Sequence, residues 1–428
     1  AMPVKLSRLC HVGGVAVAGF LWYDACNREW AVRHTWSTAF KQYFASWLLA
    51  ACGRRQLRQL CENAEKGDEV QRQLLADILQ RHQTGSGLRQ LQGVATYDVF
   101  RHSHPLTSSD ASDHGHTVTT EDARDDIRRM FLRRGILSSF AVLCQFFPNS
   151  MDELQCVAAL TSLRTLFTML PVSITEDSNA FQALSFILAS PMEVYGLHSK
   201  ADRMYAHALF ALKDRALGII QSSTADDVCN LLQVASENRR HLVQDLRNGH
   251  LWDRRVEAAP ELQAARGALD AALGGPDGQR SREVDRLLKS KASASQLWPR
   301  LKAVVITGET CEDPALKALL GDVPMFSPLL YSDAEELLGV NVFPELPFGV
   351  WTYLLDPSSV FFELVPPGSQ DSRTAGAIPA WEAVVGETYD LAVTTRAGRC
   401  RCLIGDTVQV HAMFGKMPVV SLIARGQK

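Results

Sequence analysis

What this chain lacks narrows its chemistry before any motif is read. Neither charge is in excess: 44 Lys and Arg stand against 47 Asp and Glu, a net charge of -3 at pH 7, so nucleic acid is not an expected partner. No Cys-x-x-Cys pair occurs among the 10 cysteines, at 10, 26, 52, 61, 144, 156, 229, 311, 400 and 402. They sit mostly within apolar stretches, which predicts reduced core thiols rather than a zinc knuckle or a disulfide framework. No run of residues reaches the roughly 20 apolar positions needed to span a bilayer, and no solenoid period is found.

Its 428 residues exceed one ordinary core, so two or three lobes are expected. Lys5 and Arg8 precede an apolar run from Val12 to Tyr23, followed by a second apolar patch, Phe44 to Cys52. Two readings stand: packed helices in a cytoplasmic protein, or a targeting signal to the endoplasmic reticulum with membrane association through residues 12–23. Residues 56–82 carry Leu57, Leu60, Val70, Leu74, Ile78 and Leu79 at helical spacing, with a split predicted at Gly67-Asp68. Thr96 to Thr120 reads as a polar loop, and Glu121 to Arg134 as a charged helix. The stretch 136–250 reads as mostly helical, including Asp152 to Leu170, Met204 to Lys213 and Ala225 to Leu246. Gly274 to Gly278 is a turn between two helices. Beyond it come short β-rich runs: Val304 to Thr307, Val360 to Val365, Tyr389 to Thr394, Arg401 to Ile404 and Val419 to Ile423. The fold class expected is α/β, with a helical and α/β first part and a strand-rich last part. The division expected is 1–55, an apolar helical segment; 56–296, a helical and α/β subdomain; and 297–428, a strand-rich subdomain.

The chemistry-bearing residues lie in the last third. Val304-Val305-Ile306-Thr307-Gly308 reads as a buried strand ending in a glycine turn, and strand ends of α/β sheets are where ligands collect. Tyr331-Ser332-Asp333-Ala334-Glu335 follows. Tyr331 could stack on an adenine face, and Glu335 could hold Mg²⁺, since a hard cation takes carboxylate oxygen. Asp406 follows Gly405 on a strand, and its two oxygens could accept from both ribose hydroxyls. Against these stand structural readings: a half-buried core aromatic for Tyr331, a solvated helix start for Glu335 and a turn residue for Asp406. His102, His104, His114 and His116 form two His-x-His pairs. They read either as metal chelators or as a solvated polar loop, and the loop is preferred because no supporting pattern surrounds them. Cys400 and Cys402 read as packing.

Several segments taken in order resemble one known family. They are Leu297-Trp298-Pro299, Val304 to Gly308, Tyr331 to Glu335, Leu338 to Asn341, Phe361 to Pro366, Tyr389-Asp390-Leu391, Thr394-Thr395 with Ala397-Gly398, and Gly405-Asp406. Val70 to Arg81, Phe100 to Leu106 and Leu209 to Asp214 are similar too. The family is the auxin-responsive Gretchen Hagen family of acyl-acid-amido synthetases, and the nearest likeness is to its animal relatives. The resemblance implies an adenylate-forming fold, a large amino-terminal domain followed by a small lid. The activity implied is ATP- and Mg²⁺-dependent ligation of a small carboxylic acid to an amino acid. It assigns Tyr331, Thr307, Gly308 and Asp406 to the nucleotide, Glu335 to the metal, and catalytic roles to Glu335 and Arg401.

This sequence departs from the family pattern in three places. A phosphate loop reading like Thr-Ser-Gly-Thr-Ser-Gly is expected near Gly135 to Ser150. Ser138-Ser139 is there without the following glycines, and Gly115 to Thr120 is a poor substitute. The family's Tyr-Arg-Tyr-Arg-Val-Gly-Asp reads here Cys400-Arg401-Cys402-Leu403-Ile404-Gly405-Asp406, retaining one arginine. Lys428 falls near the hinge that leads to the family's lid, so the lid is expected to be absent. These departures define the alternative, a non-catalytic nucleotide-binding or interaction protein of the same fold.

Overall fold

A computed structural model describes residues 19, 22–23, 26–27, 35–82, 97–108, 130, 134–135, 137–146, 156–160, 188–252, 259–306, 314–326, 330–333, 336–343, 352–367 and 376–424. Numbered along the chain, the strands are β1 (Thr107–Ser108), β2 (Cys156–Ala159), β3 (Leu217–Ser222), β4 (Ala303–Ile306), β5 (Met325–Phe326), β6 (Leu330–Asp333), β7 (Glu336–Val340), β8 (Thr352–Leu355), β9 (Phe361–Val365), β10 (Ile378–Pro379), β11 (Thr388–Thr394), β12 (Cys402–Phe414) and β13 (Met417–Ala424). The chain divides into two compact units. The first comprises Ala1–Leu48, Phe147–Phe167 and Ile174–Phe326, and the second Leu49–Phe146, Thr168–Ser173 and Ser327–Lys428. Strand β4 pairs with β3 inside the first unit.

The first unit holds a parallel sheet in the order β2-β3-β4-β5. Parallel strands need long crossovers, and helices supply them. The helix Lys200–Lys213 is buried on every side from Met204 to Lys213, as expected of a helix inside a core rather than on it. Its amino terminus is closed by the Ser199 side chain, which accepts from the Asp202 N–H. Ala225–Glu237 begins the same way at Thr224, and Gly278–Lys289 at Asp277. Trp298, wholly buried, donates its indole N–H to the Ala211 carbonyl at 2.6 Å. The turn at Gly274 to Gly278 does separate two helices, Pro260–Leu273 and Gly278–Lys289.

The helical expectation for 136–250 needs correction at two places. Cys156–Ala159, inside the stretch expected as a helix from Asp152 to Leu170, is strand β2, and Leu217–Ser222 is β3. Short apolar runs carry no period that separates a buried strand from a helix, and here pairing with neighbours decided. The split at Gly67-Asp68 is found, with helices Trp36–Glu65 and Gly67–His82. Most of Glu121 to Arg134 lies outside the described residues.

The second unit is built on a nine-stranded sheet in the order β10-β9-β11-β12-β13-β8-β7-β6, with β1 added in parallel beside the start of β12. Its pairs along that order are antiparallel where registers are given. One face packs a core of Leu338, Leu354, Phe362, Leu391, Val408 and Val420. The helix Gly67–His82 is tied to the sheet through one residue. Gln71, fully buried, donates to the Pro357 and Val360 carbonyls at 2.7 and 2.8 Å and accepts from the Phe362 N–H at 2.8 Å. The turn between β12 and β13 comes within backbone contact of the preceding helix. A Cβ on Gly415, at φ +59°, would stand 2.4 Å from Glu65 Cα, so only glycine fits.

Among the described cysteines all are free, but Cys26 and Cys52 are exposed and only Cys402 is buried. The expectation of core thiols is corrected to that extent. The helices that carry Cys26 and Cys52 turn them outward.

Candidate functional site

In the strand order, β12 and β6 are four steps apart, which in a flat sheet would separate them by about 19 Å. They nonetheless touch. The Tyr331 hydroxyl on β6 donates to Asp406 Oδ2 on β12 at 2.8 Å, and both residues are 1% exposed. The sheet must therefore coil back on itself, and its register breaks show where it bends. One lies between Tyr331 and Ser332, another between Thr407 and Val408, and another between Asp390 and Ala392. Gly405, at φ +82°, immediately precedes Asp406 and adopts the left-handed backbone this bend requires.

A second contact joins the same edges. Arg399, in the turn between β11 and β12, pairs with Asp333 at the end of β6 at 2.6 Å. Burial works against the Arg399 charge, but Asp333 and Glu336 outweigh it and hold its pKa above the ordinary value. Glu336 is the register partner of Asp333 across the β6–β7 turn. Burial pushes its carboxyl up to about 7; Arg399, a Thr395 hydrogen bond and Arg396 oppose this, and Asp333 adds to it. Its Oε2 is buried without a partner.

Arg401, just before β12, is fully buried at φ +46°. Its Nε donates to Glu363 Oε1 and Oε2 at 3.1 and 2.9 Å, and its Nη1 to the Arg101 and His104 carbonyls at 2.9 and 2.6 Å. Glu363 also accepts from the Tyr97 hydroxyl at 2.9 Å. Burial, and then the Glu363 charge, drive the Tyr97 pKa upward. Only Nη2 of Arg401 is buried without an acceptor. Arg401 thus ties the end of the helix Tyr97–Ser103 to the start of β12. Cys400 packs beside the Leu75, Leu79, Phe100 and Phe361 cluster, and burial pushes its thiol up to about 12.

Of the residues singled out in the sequence, Tyr331 and Asp406 therefore meet in the second unit, and Arg401 lies in the same unit with Glu363 as its partner. Thr307, Gly308 and Glu335 lie outside the described residues, as do His114 and His116. The Tyr331 ring is packed in the core, 5.4 Å from the Tyr353 ring, and its hydroxyl donates to Asp406. Arg401 is a buried strut, with its charge met by Glu363. His102 and His104 are turned to local partners, the Asp98 carbonyl and the Phe100 ring, and no cluster of three metal-competent side chains occurs among the described residues. Sequence reading missed Glu336, Arg399 and Glu363. Glu363 had a signal, as a lone acid inside the apolar run Phe361 to Val365, where burial demands a cationic partner.

Comparison with known proteins gives this arrangement its context. The GH3 family N-terminal domain model matches residues 149–325, and the GH3 family central domain model matches residues 353–425. The chain belongs to the GH3 family. It is 35% identical over 160 residues to the GH3 domain-containing protein of Homo sapiens, covering 36% of this chain and 29% of that one. It is 29% identical over 238 residues to the probable indole-3-acetic acid-amido synthetase GH3.2 of Oryza sativa subsp. japonica, covering 52% of this chain and 37% of that one. The matched stretch thus spans about a third of the length of these curated relatives. Among solved structures, the GH3.15 acyl acid amido synthetase superposes with a TM-score of 0.65 at 16% identity, over 84% of this chain and 69% of that one. This likeness establishes the fold: mixed α/β, with a helical amino-terminal part and a strand-rich carboxyl-terminal part.

Proposed function

We propose that this chain carries the nucleotide-binding, acid-activating region of an ATP-dependent acyl-acid-amido synthetase. In the reaction proposed, the oxygen of a small carboxylic acid attacks the α-phosphate of ATP and displaces pyrophosphate. The amine of an amino acid then attacks the acyl carbon and displaces AMP. The observation that carries the reading is the Tyr331–Asp406 hydrogen bond, which joins two family motifs 75 residues apart.

The residues present fit a nucleotide and a hard cation. Among the buried side-chain atoms of the described residues that lack a partner, the Glu336 Oε2 acceptor and the Arg401 Nη2 donor lie in this motif region. A ligand hydroxyl, a phosphate oxygen or a cation could satisfy them. In this proposal Asp406, oriented by Tyr331, accepts from the ribose. Thr307 and Gly308 approach the nucleotide, and Glu335 holds Mg²⁺, which when bound would neutralise charge on the phosphates. Arg401 and Glu363 position the start of β12. The distant relatives named as amido synthetases support the reaction class. The acyl and amine substrates stay at the level of class.

The alternative, nucleotide binding without turnover, is favoured by one observation. Leu137–Phe146, where the phosphate loop was expected, is an α-helix with Ser138 and Ser139 buried inside it. Losing one preorganised donor costs about 10²- to 10³-fold in rate, so a missing loop would be severe. Pyrophosphate release from ATP, dependent on added acid and measured with a panel of aromatic and aliphatic acids, separates the two readings. Turnover abolished by Asp406→Ala supports the synthetase. Stabilisation by AMP, about 2.7 kcal/mol at 100 times its dissociation constant, without turnover supports the binder. Neither turnover nor a thermal shift with AMP or ATP refutes both.

A further inference from the structure

The helix Trp36–Glu65 is inside out over its first four turns. At about 100° per residue, Trp36, Phe40, Phe44, Trp47 and Leu48 fall within about 120° of one another. They are 60%, 37%, 48%, 44% and 47% exposed. The rest of the circumference carries Ala39, Gln42, Tyr43, Ser46 and Ala50, all buried. A surface helix ordinarily turns its apolar stripe inward; this one buries a glutamine and a serine and offers two tryptophans and two phenylalanines to the outside. Trp22 and Tyr23 enlarge the patch. The Trp22 ring stacks 6.2 Å from Trp36 and lies 5.4 Å from Phe40, yet Trp22 and Tyr23 remain 54% and 69% exposed.

The charge around this face is one-sided. From Ala31 to Cys61 there is no Asp or Glu, while Arg33, Lys41, Arg54, Arg55 and Arg58 are basic, in a chain whose net charge is -3. Lys41 borders the aromatic stripe, and Arg54, Arg55 and Arg58 are exposed on later turns of the same helix. Tryptophan and tyrosine concentrate where a bilayer meets water, and basic residues beside them attract anionic headgroups. No helix among the described residues is long and apolar enough to cross a membrane, so the face would lie in the interface rather than span it. We propose that the stripe Trp36–Phe40–Phe44–Trp47–Leu48 docks this protein on an anionic lipid surface, its rings among the headgroups and its basic residues against lipid charge. The stripe itself lies outside residues 12–23, of which Trp22 and Tyr23 adjoin it, and the proposal is independent of any synthetase activity.

Flotation of the whole chain with phosphatidylcholine vesicles, with and without phosphatidylserine, tests it. Binding is expected to the anionic vesicles, with quenching of tryptophan fluorescence by brominated lipid and loss at high salt. Phe40→Ser, Phe44→Ser and Trp47→Ser together should abolish flotation, while the far-UV circular dichroism and the melting midpoint hold. Arg54→Glu with Arg55→Glu provides a second route that leaves the aromatic face intact, each lost arginine weakening binding about fivefold. Failure to float with either lipid would overturn the proposal. So would a triple variant, or a charge-reversed one, that floats as well as the parent. A dimer seen by light scattering, dispersed by the triple variant and indifferent to vesicles, would assign the face to a second copy instead.

Discussion

Each unit buries a titratable group, and the surroundings give the two groups opposite behaviour. In the first unit His207 lies inside the helix Lys200–Lys213, its Nδ1 2.8 Å from the Ser190 hydroxyl and its ring edge-on to Tyr195. Burial, and then Arg203, lower its pKa to about 3. In the second unit Glu336 lies among Asp333, Arg399 and Thr395, and burial raises it to about 7. His207 is neutral throughout the neutral range and has nothing to exchange, a polar atom held for packing. Glu336 is poised to gain or lose a proton near neutrality at the end of a strand. Burial alone does not distinguish the two groups; the charges that surround Glu336 do.

The contrast is broken most forcefully at the buried Arg401–Glu363 ion pair of the second unit. Arg401→Met leaves Glu363 buried without its cation and should cost about 3–5 kcal/mol in urea unfolding. Adding Glu363→Gln should recover most of that, because no charge is then stranded. A loss under about 1 kcal/mol would show that the pair is not dry.

The titrations come next. Between about pH 4.5 and 7 the folded Glu336 holds a proton that the unfolded chain has released, so its contribution is full at the acid end and is lost as pH rises. The difference is at most about 3 kcal/mol. His207 has the reverse sign. Between about pH 3 and 6.5 the unfolded chain binds the proton and the fold does not, so stability falls as pH falls. Urea midpoints across pH for Glu336→Gln and His207→Gln, each subtracted from the parent, should therefore slope in opposite directions. Parallel slopes would remove the distinction between the units.

Gln71→Leu should cost about 2 kcal/mol, since the Pro357 and Val360 carbonyls and the Phe362 N–H lose one shared partner. The smallest effect expected is at the motif contact. Tyr331→Phe should weaken AMP binding about fivefold, with little change in melting, if the hydroxyl serves to orient Asp406. Unchanged AMP affinity would reduce that hydroxyl to a core contact.

Much of this was legible in the residues. The β-rich runs after residue 300, the turn at Gly274 to Gly278 and the split near Gly67 were marked by local chemistry: alternation, β-branched residues, glycine and proline. The parallel strands β2 and β3 were not, because a short apolar segment shows no period that separates strand from helix, and its state is chosen by distant partners. The strut at Arg401 escaped for a related reason. Its acid stands 38 residues away and the carbonyls it ties about 300, and no spacing rule connects them.

By its sequence alone the chain determined its family likeness, its strand-rich last third and the two motifs that carry Tyr331 and Asp406, because these depend on residue type and local order. Only the tertiary structure decided that the sheet coils until β6 meets β12, that the Tyr331 ring is core while its hydroxyl reaches Asp406, and that an aromatic helix face points outward. Those outcomes follow from twist, register breaks and desolvation, which act between residues far apart in the chain.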